Sequence, residues 1–508
     1  MCPTGARVCG PGARRSIRSS RARGRTAPVK DDIDIWNKGG LFMERWMKVQ
    51  TPEEVGISSR GLLNYLDAVA ASPQVEHHAI MVLRHGKLAA TMNFAPYDEH
   101  TPHMLFSLSK SFTSAAAGFA VQEGLLRWED KVLDILPDKA PENPSEWLRQ
   151  ITLSHLLMMG SGLDPKSDEV GGEDWAKAVL ACECTHEPGT HFHYNSHGTY
   201  LVSCMVQRVT GMTVRDYLLP RLFEPLGIPA PTWDCCPAGI NVGGWGLWLS
   251  CDSIARFGQC LLQKGMWEGK QLLPTQWYEK ATVKQIDNSG GTEQPDNEWA
   301  QGYGYQFWRT RGNRFRGDGA FGQICMVSPD LDMVVAVTCG TNDMGREMQL
   351  LHEHLFPAAE MEPGTAEEQA ELERRLGSLG YAWPEDDGTG EAFVGRYGNE
   401  ELIVDITWDG DVLKIVHDDP KNPRESYTME YGKGQPMRCV GIAQFNEKEA
   451  EVNYLGAYGW QKGVLHIAER TLVAPFAMKA TLTPVEDGVE LDMVGIGYPT
   501  MKAVLKRV

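Results

Sequence analysis

Ser107-Leu108-Ser109-Lys110 places a hydroxyl and an amine three residues apart. On a helix, residues i and i+3 share a face, so the Lys110 amine can sit beside the Ser107 oxygen. A serine hydroxyl is a weak nucleophile and needs a base. Lysine is charged at neutral pH until burial or a neighbouring cation lowers its pKa. A chain of this length carries about one S-x-x-K by chance, and this is the only one here. Its placement gives it meaning. It opens an alanine-rich stretch through Ala115, Ala116 and Ala117 to about Gln122, which reads as a helix ended by Gly124. Ser107 would then lie at the positive end of the helix dipole, which favours an alkoxide. The plainer alternative is a capping serine followed by a solvated lysine.

Two further segments bear on the choice. Pro188-Gly189 turns the chain into His191-Phe192-His193-Tyr194-Asn195-Ser196, a short extended piece that presents a phenol. A tyrosine near Lys110 can share the proton work, as phenolate or as relay; otherwise Tyr194 is a core aromatic. Gly317-Asp318-Gly319-Ala320-Phe321-Gly322-Gln323 contains G-x-G-x-x-G. A dinucleotide loop follows a strand and opens a helix, whereas this one follows Arg314 and Arg316 and runs into an apolar strand from Ile324 to Val327. It reads instead as a strand edge at which small residues such as Gly319 admit a substrate to the backbone, where an N–H can complete an oxyanion hole.

The elements that must position these residues are legible from periodicity. Ser58 to Ala71 reads as an amphipathic helix with Leu62, Leu63, Leu66 and Val69 on one face. Ile80–Leu83 and a run from Leu88 flank a His85-Gly86 turn. Ile324–Val327 and Met333–Val337 flank Pro329-Asp330. Both read as hairpins. Residues 125–260 alternate helices with loops. Residues 358–390, rich in Glu, Gly and Pro and with a charged helix from Glu367 to Leu376, read as a linker. From 391 to 508 short alternating strands, with Asp409-Gly410 as one hairpin turn, indicate a separate all-β domain.

Length and charge narrow the function. A chain of 508 residues calls for two or three domains. The net charge of −18 argues against a nucleic-acid partner, and no apolar run is long enough to span a bilayer. Residues 1–30 carry +8, leaving −26 on the rest. The region 1–42 reads as a disordered basic arm, with Met43 as an alternative start. Arg14-Arg15 lacks the apolar stretch of a twin-arginine signal. The 12 cysteines are scattered without paired CxxC spacing. Both observations point to the cytoplasm. His186, His191, His193 and His197 are metal-ligand types, but no acid or cysteine lies at convincing spacing, so no metal is expected; one or two of them would line the cleft. Trp245, beside a double glycine, is expected to wall a pocket. Gly302 to Trp308 is expected to be structural packing.

These segments together resemble the serine β-lactamase superfamily of penicillin-binding proteins, class C β-lactamases and related esterases and D-amino-acid peptidases. The resemblance spans about residues 50–357. Thr152–Leu157 before Gly160–Leu163, Phe223–Ile228, Gly243-Gly244-Trp245 and Asp252–Gly258 also carry it. It implies an α+β, β-lactamase/transpeptidase-like fold: an antiparallel sheet flanked by helices, with a helical subdomain, over residues 43–357. It further implies that Ser107 attacks a carbonyl and is acylated. Lys110 and Tyr194 would move protons, the N–H groups of Ser107 and Ala320 would form the oxyanion hole, and no cofactor would be needed. Two positions depart from the family. Ser196 stands where an asparagine usually contacts substrate. Gly317-Asp318-Gly319 lacks the Lys or His that holds a substrate carboxylate.

The leading expectation is a serine hydrolase of small esters or amides. β-Lactamase or D-Ala carboxypeptidase chemistry and an inert binding homologue are the alternatives. An Asp318 facing the cleft would favour an amine-bearing substrate, unless it pairs with Arg314 or Arg316. The C-terminal domain resembles lipocalin-like or small-barrel appendages of this superfamily, and could cover the cleft, select substrates by size or form a homodimer.

Overall fold

The computed structural model describes residues 47, 50–166, 170–419, 422–445, 448–498 and 500–508, so the basic arm expected over 1–42 lies outside the described residues. The N-terminal half is built on a six-stranded sheet. Its strands are β1 (Val75–Arg84), β2 (Lys87–Asn93), β3 (Trp308–Thr310), β4 (Arg314–Gly319), β5 (Gln323–Ser328) and β6 (Met333–Thr341), in spatial order β2-β1-β6-β5-β4-β3. Every neighbouring pair is antiparallel. The hairpins expected at His85-Gly86 and Pro329-Asp330 are β1–β2 and β5–β6.

Both faces of the sheet are covered, and so β1, β5 and β6 are buried almost end to end instead of alternating, with Glu76, His77 and His78 buried in β1 ahead of its apolar run from Ala79 to Leu83. Helix α1 (Ser59–Ala70) and the segment from Met344 to Phe356 bring Leu62, Leu66, Leu351 and Leu355 against Ile80, Val82, Val335 and Val337. On the other side a later helix, Cys251–Leu262, lies so close that a side chain at Gly258 would overlap Val334. Between sheet and helical subdomain runs α2 (Ser109–Gln122), buried on all sides from Ser109 to Ala120, which is why its face pattern is weak and its small residues many.

The C-terminal strands form their own ten-stranded sheet, running from Gly395–Gly398 to Met501–Arg507. Its ends meet through a parallel pairing of Gly432 with Ala457 and Lys433 with Tyr458, giving a barrel-like closure that protects its edges. Ile406, Leu413, Tyr431, Leu465, Ile467 and Leu505 fill it. The stretch between the two halves is packed. The Ala366–Leu376 helix lies on α1 and pairs Glu368 with Arg60 and Arg375 with Asp67. The barrel itself is bolted to β1 by a buried two-point ion pair, Arg470 to Glu76 at 3.1 and 3.2 Å. Among the described residues no helix is long and apolar enough to cross a membrane.

Candidate active site

Ser107 sits in a single 3₁₀ turn, Phe106–Leu108, that leads into α2. Phe106 adopts φ +46°, a left-handed conformation that costs a bulky residue about 1–3 kcal/mol. Ser107 is half-buried, within reach of solvent, and Lys110 is fully buried one turn on. The Lys110 Nζ donates to Ser107 Oγ at 2.8 Å and to the Gly244 carbonyl at 2.7 Å. Gly244 has to be glycine, because a Cβ there would run into the Ser196 carbonyl. Burial lowers the Lys110 pKa to about 7, with the Asp318 charge pulling the other way.

Tyr194 joins this pair. Its ring lies under the Lys110 ammonium, 4.9 Å from Nζ to centroid. The preceding loop is pinned by His193 N–H to the Met159 carbonyl (2.8 Å). The next residue, Asn195, caps helix α3 (Ser196–Thr210) by accepting from His197 and Gly198 N–H at 2.9 and 3.1 Å. The Tyr194 ring stacks on Trp308 at 5.3 Å and meets Tyr303 edge-on at 6.3 Å. The Gly302–Trp308 run is therefore packing, and what it packs is this phenol. Burial and the Asp318 charge push the Tyr194 pKa well above its ordinary value, against an opposing contact with the Ser107 hydroxyl. Both act against ionisation of the phenol.

Strand β4 closes the other side. Side chains at Gly317 and Gly319 would collide with Leu108 and Ser111 and with the Leu105 carbonyl, so the two glycines let the strand lie directly on the turn that carries Ser107. Ala320, exposed, begins the β4–β5 turn, and Phe321 follows at φ +64°. Buried Gln323 braces this turn: its amide donates to the Ala320 and Cys339 carbonyls at 3.3 and 2.8 Å and accepts from Cys339 N–H. Asp318 is buried and pairs with Arg316 at 3.0 Å. Arg316 is itself fully buried, donates to the Glu298 carbonyl at 3.1 Å and lies over Trp299. A cation is thus present one residue before position 317, and it is paired with Asp318 Oδ2.

The remaining expected residues divide. Ser196 heads α3, half-buried, with its carbonyl against Gly244. Trp245 is half-buried and meets His197 edge-on at 5.9 Å; His197 is held below its ordinary pKa by burial and by Lys110. His186 and His191 stack on each other at 4.0 Å and His193 faces Asp164 at 3.4 Å. Elsewhere, His77, Cys339 and Glu347 bring three ligand atoms within 4.8 Å of one another in the core. The group lies beneath the Gly322 turn; burial lowers His77 to about 3 and pushes Glu347 well up. Two surface clefts, one beside Leu125 and Trp128 and one beside Pro96, Leu379 and Leu455, share no residue with the site.

A covered antiparallel sheet with a helical subdomain, and an S-x-x-K turn packed between them, define the β-lactamase/transpeptidase-like fold. A family model described as Beta-lactamase matches residues 64–360, more than half of the chain, and the chain belongs to that family. It is 29% identical over 194 residues to penicillin-binding protein 4 of Amycolatopsis lactamdurans, a match covering 32% of this chain and 50% of that one. It is 24% identical over 306 residues to 6-aminohexanoate-dimer hydrolase of Paenarthrobacter ureafaciens, covering 53% and 76%. Among solved structures, a putative beta-lactamase from Bacteroides dorei superposes with a TM-score of 0.52 at 16% identity, over 60% of this chain and 100% of that one.

Proposed function

We propose that this protein is a serine hydrolase that cleaves small ester or amide substrates through an acyl-serine intermediate. The supporting observation is the buried Lys110 amine, 2.8 Å from Ser107 Oγ and with its pKa lowered to about 7. Half of such amines are neutral at pH 7, so a base is available without a metal or a histidine. Ser107 Oγ attacks the carbonyl carbon and its proton passes to Lys110. The oxyanion is held by the N–H groups of Ser107 and Ala320. The Tyr194 phenol gives its proton to the leaving group and is refilled from Lys110. Water then attacks the acyl-enzyme by the same relay in reverse, losing its proton toward Lys110 and returning one to Ser107. β-Lactams and peptidoglycan termini are poorer candidates, because the cation that would hold their carboxylate is engaged by Asp318.

The test is a panel of p-nitrophenyl esters, D-amino-acid amides and nitrocefin with Ser107→Ala as control. Ester hydrolysis is expected, reduced about 10³-fold or more by the substitution. The neutral amine is the proton acceptor, so kcat/KM should rise with pH through a midpoint near 7. Turnover that survives Ser107→Ala, or that rises only near the ordinary lysine pKa, would sink the reading.

A further inference from the structure

Phe106 immediately precedes the nucleophile and Phe321 immediately follows Ala320, so the two expected oxyanion donors are each flanked by a phenylalanine. Both are in the left-handed backbone region, at φ +46° and +64°. Side-chain packing alone gives no reason to hold two bulky residues there, at about 1–3 kcal/mol each. Their rings meet at 5.2 Å. A third ring, Phe476, reaches them from the barrel and lies edge-on to both, at 6.4 and 5.7 Å. All three are only partly buried, unlike the aromatic residues of the core.

The loop that carries Phe476 is held in place. The Met104 N–H donates to the Val473 carbonyl at 2.9 Å, and the Thr471 N–H closes the loop on the Phe476 carbonyl at 2.9 Å. Ala474 is fully buried, and the Pro475 carbonyl lies so close to Gly340 that a Cβ there would overlap it. The Arg470–Glu76 pair anchors the base of the loop.

We propose that Phe476, with Phe106 and Phe321, forms the subsite for the acyl group of the substrate, and that this group is aromatic or branched alkyl. The inference rests on the serine-hydrolase reading. In it the leaving group departs toward the Tyr194 phenol that protonates it, which leaves the aromatic flank of the oxyanion donors to the acyl chain. The barrel thereby belongs to the active site: it supplies a wall that the hydrolase half lacks.

The test keeps one leaving group and varies the acyl chain. Acetyl, isovaleryl and phenylacetyl p-nitrophenyl esters are compared in the full-length protein, Phe476→Ala and Phe476→Leu. The wild type should favour phenylacetyl and isovaleryl over acetyl in kcat/KM. Phe476→Ala should cut the phenylacetyl-to-acetyl ratio by about tenfold, mainly through KM, with Phe476→Leu between. If the alanine variant does not fold, the leucine variant is read by the same ratio. A ratio unchanged in the variants, whatever the absolute rates, overturns the subsite. A wild type that hydrolyses acetyl ester in a Ser107-dependent way with no acyl preference also overturns it but leaves the hydrolase reading intact; a wild type without Ser107-dependent hydrolysis removes both.

Discussion

Lys110→Met is expected to reduce kcat/KM by about 10³-fold or more and at the same time to raise the melting temperature. The loss follows from removing the buried amine that is hydrogen-bonded to Ser107 Oγ and would accept its proton. The gain follows from what the lysine costs the fold. Its pKa falls from 10.5 to about 7 on burial, so between these values the unfolded chain binds the extra proton and stability rises with pH. The penalty is complete below pH 7 and gone above 10.5. At about 1.4 kcal/mol per unit it comes to about 4 kcal/mol at pH 7. Methionine fills similar volume without the charge. The hydrogen bonds lost at Ser107 and at the Gly244 carbonyl offset about 1–3 kcal/mol of this, leaving a net gain of about 1–3 kcal/mol, a few degrees in Tm. Thermal melts at pH 7 and pH 10 check the sign: the advantage of the variant should shrink at pH 10. An active or a destabilised Lys110→Met protein would contradict this role for the lysine.

Arg316→Met should be the most destabilising single change at the site. It leaves Asp318 buried without its partner, which costs about 3–5 kcal/mol. It also has a catalytic signature that a merely structural role would not give. Asp318 already draws the Lys110 pKa upward. With Arg316 gone that attraction is unopposed, and the acid limb of kcat/KM should move above pH 7. Asp318→Asn alone should move it below 7. The double variant should recover much of the stability lost by Arg316→Met and return the limb toward its starting point. Urea denaturation and pH–rate profiles of the three variants decide it; limbs that do not move in opposite directions would separate Asp318 from the chemistry.

What could be read in the sequence was what local patterns encode. The S-x-x-K spacing and the alanine run placed a helix behind Ser107, and the glycines of 317–322 marked a strand edge where backbone comes close. The hairpins around His85-Gly86 and Pro329-Asp330 followed from periodicity and turn residues. Tyr194 could be paired with Lys110 only through the resemblance, since no local rule joins residues so far apart. Its protonation state was undecidable, because burial against Trp308 and Tyr303 sets it. Asp318 had two readings until Arg316 was seen to be wholly buried beside it. The Gly244 carbonyl left no trace, as a backbone acceptor has no residue type. Gln323 ended the glycine motif without any sign of its bracing role. Phe476 gave no signal at all: it is one aromatic residue in a loop between barrel strands, and only the docking of the barrel brings it to Phe106.

The most direct measurement is labelling of the wild-type protein with a fluorophosphonate at pH 7 and pH 5, read by intact mass and by mapping of the modified peptide. A single adduct on Ser107, forming faster at pH 7 and absent in Ser107→Ala, is the expected result. A wild-type protein that takes up no label, or takes it up on another residue, would contradict the assignment of Ser107 and Lys110 as nucleophile and base.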